Sequence, residues 1–371
     1  MATARTAAAI RSRALELGFV QVGFASPDVL PGRRFCADWL AAGYGAGMAF
    51  MARHGDRRAD PSRQWPGVRT VICVAATYGA PTSVTAGYGR IAAYAAGPDY
   101  HDWLLARLQT LGQFVAAVAG QPVRCHACTD TAPVFERELA VRAGLGWRGR
   151  NTCLINRRVG SYTLLGELFT DLELVPDAPT PDGCGCCQRC LDACPTGALV
   201  QPYVLDSRRC LAYLTIEHRG ALPRPLRPLL GTRVFGCDAC QEVCPWNRRT
   251  RPGWPGPEPA LAASELVDLL ELDSAGFRRR YGSTPVARAR RRGLRRNAAV
   301  ALGNTGDRDS VPALVRTLSD DDAQVRGHAA WALGRLGGAA ARAALEAASR
   351  READPEAALE VLLALAEAAP A

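Results

Sequence analysis

The stretch from Cys184 to Cys244 limits what this chain can become more than any other. It reads CGCCQRCLDACPTGAL, then a lone Cys210 in LDSRRCLAYLTIE, then GCDACQEVCPWN. Cys184, Cys187, Cys190 and Cys194-Pro195 follow C-x2-C-x2-C-x3-C-P, the spacing in which three thiolates hold one 4Fe-4S cluster and the fourth reaches the next. A second run, Cys237-x2-Cys240-x3-Cys244-Pro245, lacks one cysteine, and Cys210 is the available replacement. With the usual crossover, Cys184, Cys187, Cys190 and Cys244 hold one cluster, and Cys194, Cys210, Cys237 and Cys240 hold the other. Cys186 is then spare. Structural zinc also accepts four cysteines, but neither zinc nor a disulfide framework accounts for two tight runs that each close with Cys-Pro.

At 371 residues the chain is long for one core, so two or three domains are expected. All 45 basic residues are Arg, and the net charge is +9. A coding bias accounts for the missing Lys, but not for where the Arg residues gather. A guanidinium pairs bidentately with phosphate and keeps its charge, so the balance suits an anionic partner, nucleic acid first. Ferredoxin spacing in a chain without a signal peptide points to a reducing cytoplasm rather than to secreted disulfides. Arg33-Arg34-Phe35 looks like part of a twin-arginine export signal, yet it lies too deep and is followed by Asp38 instead of an apolar run. No stretch has the apolar length that spans a bilayer. No membrane partner is therefore expected, and nothing demands more than a monomer.

Residues 3–17 read as an Ala-rich helix stopped at Gly18, and FVQVGFA then has strand character. Glycines crowd AAGYGAGMAFMARHGDRRADP, a loop suited to facing a ligand, with Met48 and Met51 on a short helix. Val68 to Tyr78 is an apolar run between Pro66-Gly67 and Gly79, the pattern of a buried central strand. Residues 99–118 form an amphipathic helix with Trp103, Leu104, Leu108, Leu111, Phe114 and Val115 on one face. His101 at its start is more often structural than catalytic in such a place.

A strand is expected around Pro122 to Cys125, and Cys125 and Cys128 read as core thiols. A helix from Ala132 to Arg142 would carry Pro133 in its first turn, leaving Asp130 and Thr131 at its mouth. Asp130 is then either an N-cap or a functional carboxyl. The helix dipole lowers its pKa, so a proton donor there needs burial to oppose it. Leu154 to Asn156, a turn at 157–160 and Tyr162 to Phe169 read as a hairpin-like pair, and YLTIEHRG has strand-then-turn character beside the clusters.

The C-terminal part repeats itself. RRNAAVALGNTG at 295–306 recurs as RGHAAWALGRLG at 326–337, an offset of 31, with Leu314 recurring at Leu345. Paired short helices with Ala and Leu on the inner face resemble HEAT-type repeats, whose surface is a common binding platform. The entry to this unit is densely basic. Arg288, Arg291, Arg292, Arg295 and Arg296 are the candidates for a phosphate-backbone site. Breaker-rich segments at 176–183 and 251–259 complete a division into 1–178, a ferredoxin-like domain at 179–250, a linker and connecting helix at 251–284, and repeats at 285–371.

Taken together, CGCCQRCLDACPTGAL, LDSRRCLAYLTIEHRG, GCDACQEVCPWN, DTAPVFERELAVRAGLGWRGRNT, MARHGDRRADP and YAAGPDYH closely resemble the epoxyqueuosine reductases of queuosine biosynthesis. The resemblance covers most of the chain, the repeats included. It implies an α+β protein with a cobalamin-binding α/β N-terminal domain, a module of two 4Fe-4S clusters and HEAT-like helices that bind tRNA. The implied reaction reduces epoxyqueuosine, at the wobble position of tRNA, to queuosine, with an external low-potential electron donor. Asp130 matches the family's proton donor. Arg58, Asp130, Asn151, Leu154 and Ser161 lie in matching motifs, which implies contacts to cobalamin. Two positions depart from the family pattern: Gly149-Arg150-Asn151 stands for Gly-Lys-Asn, and Cys186 for a small polar residue. The rival readings are a reductive dehalogenase acting on a small molecule, a non-catalytic ferredoxin-type electron carrier, and a nucleic-acid-binding protein with structural clusters.

Overall fold

A computed structural model describes residues 2–80, 86–250, 253, 258, 261 and 263–368. The chain groups into two compact, interleaved units. The first comprises Met1–Ala80, Asp99–Arg208 and Ala239–Pro257, and the second Pro81–Pro98, Arg209–Asp238 and Glu258–Ala371. Of the cysteine-rich span, the residues up to Arg208 and from Ala239 group with the first unit and Arg209–Asp238 with the second. Each cysteine run is too short to bury a core and has to lean on a larger neighbour. The linker expected at 251–259 lies, apart from Gly253 and Glu258, outside the described residues.

The strands, in chain order, are β1 (Gln21–Ala25), β2 (Thr70–Thr77), β3 (Tyr88–Ile91), β4 (Cys125–Cys128), β5 (Trp147–Arg148), β6 (Leu154–Ile155) and β7 (Thr163–Thr170), followed by β8 (Leu199–Gln201), β9 (Val204–Leu205), β10 (Arg233–Phe235) and β11 (Ala263–Glu265). The first unit is built on a four-stranded sheet of order β1-β2-β7-β4, antiparallel throughout. Every residue of β2 is buried, as the apolar run predicts. Helices Ala2–Glu16 and Tyr100–Val118 cover one face, and the short helix Glu136–Arg142 covers the other. The longer helix meets the sheet at its predicted apolar stripe, with Leu104, Leu108, Leu111 and Val115 fully buried. Gly112 lies so close to the sheet that an added Cβ would come 3.2 Å from Cys125 and 3.3 Å from Leu168.

Four local expectations change. The strand expected at Pro122 starts instead at Cys125, since a proline cannot donate to the ladder. The helix expected from Ala132 starts at Glu136, because the preceding residues form tight turns in which Thr131 N–H bonds Thr129 O and Val134 N–H bonds Ala132 O. β6 pairs with β5; only an Asn156–Gly160 bridge continues toward β7, whose own two edges are taken by β2 and β4. YLTIE belongs to a helix, Leu211–Ile216. There Thr215 bonds back to Leu211 O at 2.7 Å and accepts the Gly236 N–H at 2.9 Å, so burial and a satisfied hydroxyl override strand propensity.

The second unit is mainly helical, with a small sheet of order β10-β3-β11. Helices Arg290–Thr305, Ala323–Leu336 and Pro355–Glu367 stack in succession. The 31-residue offset has a packing reason. Gly303 and Gly334 occupy equivalent positions, and a Cβ on either would sit 2.9 Å from an alanine of the next helix, Ala332 or Ala364. These glycines let the backbones approach. The equivalent Asn297 and His328 are both buried and pay off backbone groups: Asn297 donates to Thr215 O and Val234 O, and His328 accepts the Leu222 N–H at 3.0 Å. Among the described residues, no helix is long and apolar enough to cross a membrane.

Candidate functional site

Four thiols converge in the first unit. Cys184, Cys187, Cys190 and Cys244 line a cavity of about 300 Å³, together with Arg150, Asn151, Ile155 and Trp246. The grouping is the predicted first ligand set, brought together from two distant runs. Among the described residues, no group of three or more His, Cys, Asp and Glu could hold a metal ion; the four thiols answer the spacing of a 4Fe-4S ligand set. Burial pushes Cys190 up to about 11, and ligation would have to displace its proton. Trp147 Nε1 donates to the Cys184 sulfur at 3.4 Å, and its ring meets Trp246 edge-on at 5.1 Å. An N–H···S bond of this kind tunes a cluster's potential. Cys186 is exposed and does not line the cavity, consistent with the spare role the spacing gives it.

Of the second predicted set, Cys194 accepts the Ala198 N–H at 3.2 Å and Cys240 lies in the short helix Ala239–Glu242, both in the first unit. Cys210 caps Leu211–Ile216 and Cys237 follows β10, both in the second.

Asp130 is not the helix cap that one reading made it. Its backbone is left-handed, with φ +40°, and its N–H is accepted by Glu136 Oε1. Its carboxylate faces helix Tyr100–Val118, where the Tyr100 hydroxyl donates to Oδ2 at 2.9 Å and His101 Nε2 lies 3.2 Å from the same atom. The other ring nitrogen of His101 is 2.6 Å from Asp99 Oδ1. Burial disfavours a charged imidazole, but the hydrogen bonds to Asp130 and Asp99 outweigh it and raise His101 to about 9. For Asp130 burial acts upward, and the bonds from His101 and Tyr100 overcome it, so the carboxyl lies below its usual range. At neutral pH the pair therefore carries its proton on His101. The downward pull foreseen for Asp130 is present, with hydrogen bonds as its cause instead of the helix dipole.

The remaining predicted contacts divide. Among the described residues, Arg58 Nε and Asn151 Nδ2 are buried without a hydrogen-bond partner. Unmatched buried donors are costly, and they fit a large ligand rich in amide and phosphate oxygens, as cobalamin is. Ser161 does not fit as a side-chain contact, because its hydroxyl donates to Gln241 at 2.9 Å and accepts from Asn247 at 2.9 Å. Leu154 is core, packed with Leu139, Ala140 and Leu145. Sequence reasoning gave His101 a structural role and passed over Tyr100, Glu136 and Glu167. The signal for Glu167 was a lone carboxylate inside the apolar run LLGELF.

In the second unit the arginines separate by burial. Arg296 is 1 % exposed, and its guanidinium is spent on the carbonyls of Leu214, His218 and Gly220. Arg295 pairs with Asp320 at 2.5 Å in a nearly closed environment. Neither can serve as the phosphate contact expected of it. Arg291 donates to Leu272 O at 3.3 Å. Arg288, paired with Glu217, and Arg292, 3.5 Å from Asp322, keep exposed side chains.

Comparison with known proteins gives these features a context. Residues 58–131 match the family described as epoxyqueuosine reductase QueG, DUF1730; residues 183–247 match a 4Fe-4S double cluster binding domain, and 285–366 match HEAT repeats. An epoxyqueuosine reductase of Xanthomonas campestris pv. campestris is 42% identical, over 89% of this chain and 96% of the relative. Another from Pseudomonas aeruginosa is 43% identical, over 90% and 95%. A selenomethionine-labelled epoxyqueuosine reductase crystal structure superposes with a TM-score of 0.92 at 30% identity, covering 99% of this chain and 100% of the other. One solved with an epoxyqueuosine-modified tRNA-Tyr stem loop also gives 0.92, at 31% identity and 98% and 99% coverage. With likeness to these reductases over about nine-tenths of the chain in sequence and nearly all of it in fold, and with Asp130 and the four cavity thiols inside the segments that the family models match, the chain belongs to the epoxyqueuosine reductase family.

Proposed function

We propose that this protein reduces epoxyqueuosine in tRNA to queuosine, in the cytoplasm, using two 4Fe-4S clusters and cobalamin. The reaction takes up two electrons and two protons, turns the epoxide into an alkene and releases its oxygen as water. Side chains supply no electrons of that kind; bound cobalamin supplies a strongly reducing centre, with electrons relayed by the clusters from an external low-potential donor. The thiols of Cys184, Cys187, Cys190 and Cys244 hold one cluster, and Cys194, Cys210, Cys237 and Cys240 the other.

The observation that carries the reading is the Asp130–His101 pair, in which His101 Nε2 holds a proton 3.2 Å from Asp130 Oδ2 and can pass it to that carboxylate. From there Asp130 protonates the oxygen as it leaves carbon, a general-acid role worth about 10²–10⁴ in rate. Arg58 Nε and Asn151 Nδ2 bind the cofactor's polar groups. The modified base leaves its stack to enter the site, while exposed arginines such as Arg288 and Arg292 hold the phosphate backbone. The test is anaerobic reconstitution of Asp130→Asn with iron, sulfide and cobalamin, assayed on tRNA containing epoxyqueuosine. The variant should bind cobalamin and tRNA as the native protein does and turn over at least about a hundredfold more slowly. Near-native turnover would remove Asp130 from the chemistry.

A further inference from the structure

Beneath the Asp130 loop lie two carboxyl groups for which the proton-donor reading has no use. Glu167 is 0 % exposed, in the middle of β7. Its ladder partners on either side are Cys73 of β2 and Cys128 of β4, and no N–H or O–H donor reaches either of its carboxyl oxygens. What faces it is the carboxyl of Glu136, which in turn accepts the Asp130 N–H. The groups around this pair are mostly neutral or acidic: thiols from β2 and β4, Asp130 from the loop, Arg137 on Glu136's own helix and Arg58 from helix Gly55–Ala59. Two ionised carboxylates cannot hydrogen-bond each other and repel strongly in such surroundings, so one of them has to carry a proton. A glutamine at either position would abolish that cost.

We propose that Glu136 and Glu167 share a single proton and act as a positioning pair for Asp130. Glu167, as the acid, donates to Glu136; Glu136, as the carboxylate, accepts the Asp130 amide and holds the left-handed backbone that presents the Asp130 carboxyl to Tyr100 and His101. Burial and the neighbouring carboxyls push both groups up, Glu136 to about 7 and Glu167 well above its usual range, which agrees with one proton resident on Glu167. Protonating Glu136 as well turns the anionic acceptor into a weak neutral one and loosens the loop. In a Bacillus subtilis epoxyqueuosine reductase with a TM-score of 0.89 to this chain, the catalytic loop has been seen swung out of the active site; the proposal names the group that would hold the corresponding segment in.

The inference rests on Asp130 being the functional carboxyl, but its test does not require turnover. On the full-length protein with its clusters and without tRNA, infrared spectroscopy should show a protonated buried carboxyl at neutral pH, lost in Glu167→Gln and kept in Asp130→Asn. Hydrogen exchange of residues 129–135 should accelerate about tenfold to a hundredfold in Glu136→Ala, the loss expected for a hydrogen bond to a charged acceptor. The isosteric Glu136→Gln should recover part of that protection and make it independent of pH, whereas native protection should fall as pH drops below about 7. Absence of the protonated carboxyl in the native protein, or unchanged exchange in Glu136→Ala, would overturn the proposal. If both readouts behave as expected while Asp130→Asn turns over normally, the proton-donor reading fails and the hold on the loop stands.

Discussion

Replacing His101 by Gln keeps a hydrogen-bonding side chain between Asp99 and Asp130 but removes the charge. The size of the effect follows from the array. The ring is raised from 6.5 to about 9, and at about 1.4 kcal/mol per pH unit the charged form gains about 3 kcal/mol over a free histidine. A raised folded-state pKa contributes stability that is full below about 6.5 and is lost as pH rises through about 9. Histidine-selective NMR on the oxidised protein reads this directly. Of the five histidines, His218 and His328 are pushed down by burial, so a ring that titrates near 9 and vanishes in His101→Gln identifies itself. The same ionisation should give native turnover an alkaline limb near 9 that the variant lacks, its rate being about a hundredfold lower throughout. The reasoning is refuted if no ring titrates above the ordinary histidine range, or if Asp130→Asn leaves the high value in place.

Two further outcomes can be checked with simpler measurements. Cys187→Ser should lose the cluster held in the thiol cavity, seen as about half the native iron and sulfide per chain, while Cys186→Ser, altering an exposed thiol outside the cavity, should keep full content. Arg296→Ala should destabilise the protein in denaturant titrations, by about 1–3 kcal/mol for each buried carbonyl left unpaired, with the salt slope of tRNA binding by the folded protein unchanged. The double change Arg288→Ala with Arg292→Ala should reverse that outcome, leaving stability within about 0.5 kcal/mol and flattening the salt dependence of tRNA binding by about two ions.

Much of the fold was legible because its signals are local and periodic. The six consecutive apolar residues of β2, the stripe on helix Tyr100–Val118 and the 31-residue recurrence each specify an element from its own residues. The errors fall where a distant partner decides. The run YLTIE has strand propensity, yet Thr215 closes one hydrogen bond within a helical turn and another with Gly236, a residue 21 positions away. The Asp130 loop follows the same rule. Pro133 marks a permissible helix start, but the chain delays the helix until Glu136 so that this side chain can take the Asp130 amide. The convergence of Cys184, Cys187, Cys190 and Cys244 on one cavity was readable without tertiary knowledge because the spacing of the two runs follows a cluster-binding pattern. Tyr100 and His101 were not, since their role depends on which loop the helix N-terminus meets.

The arginines mark the limit most sharply, because one side chain type serves opposite purposes. In the run RRRGLRR the sequence offers no distinction between neighbours, and helical spacing alone does not separate them, since residues four apart share a face. Arg292 and Arg296 both face the 218–220 segment, yet Arg292 reaches only the Arg219 carbonyl and keeps an exposed side chain, whereas Arg296, one turn deeper, is buried against the carbonyls of Leu214, His218 and Gly220. A planar fork with five donors is well suited to cap several carbonyls at once, which is why a buried arginine can persist there without a carboxylate partner. Burial lowers its pKa to about 9, and it remains charged at neutral pH. The positive field along this helix therefore has an interior source as well as a surface one. Under the proposed function, phosphate contacts fall to the exposed subset alone, while the buried charge strengthens the potential that those contacts sample and stays in place when they are removed.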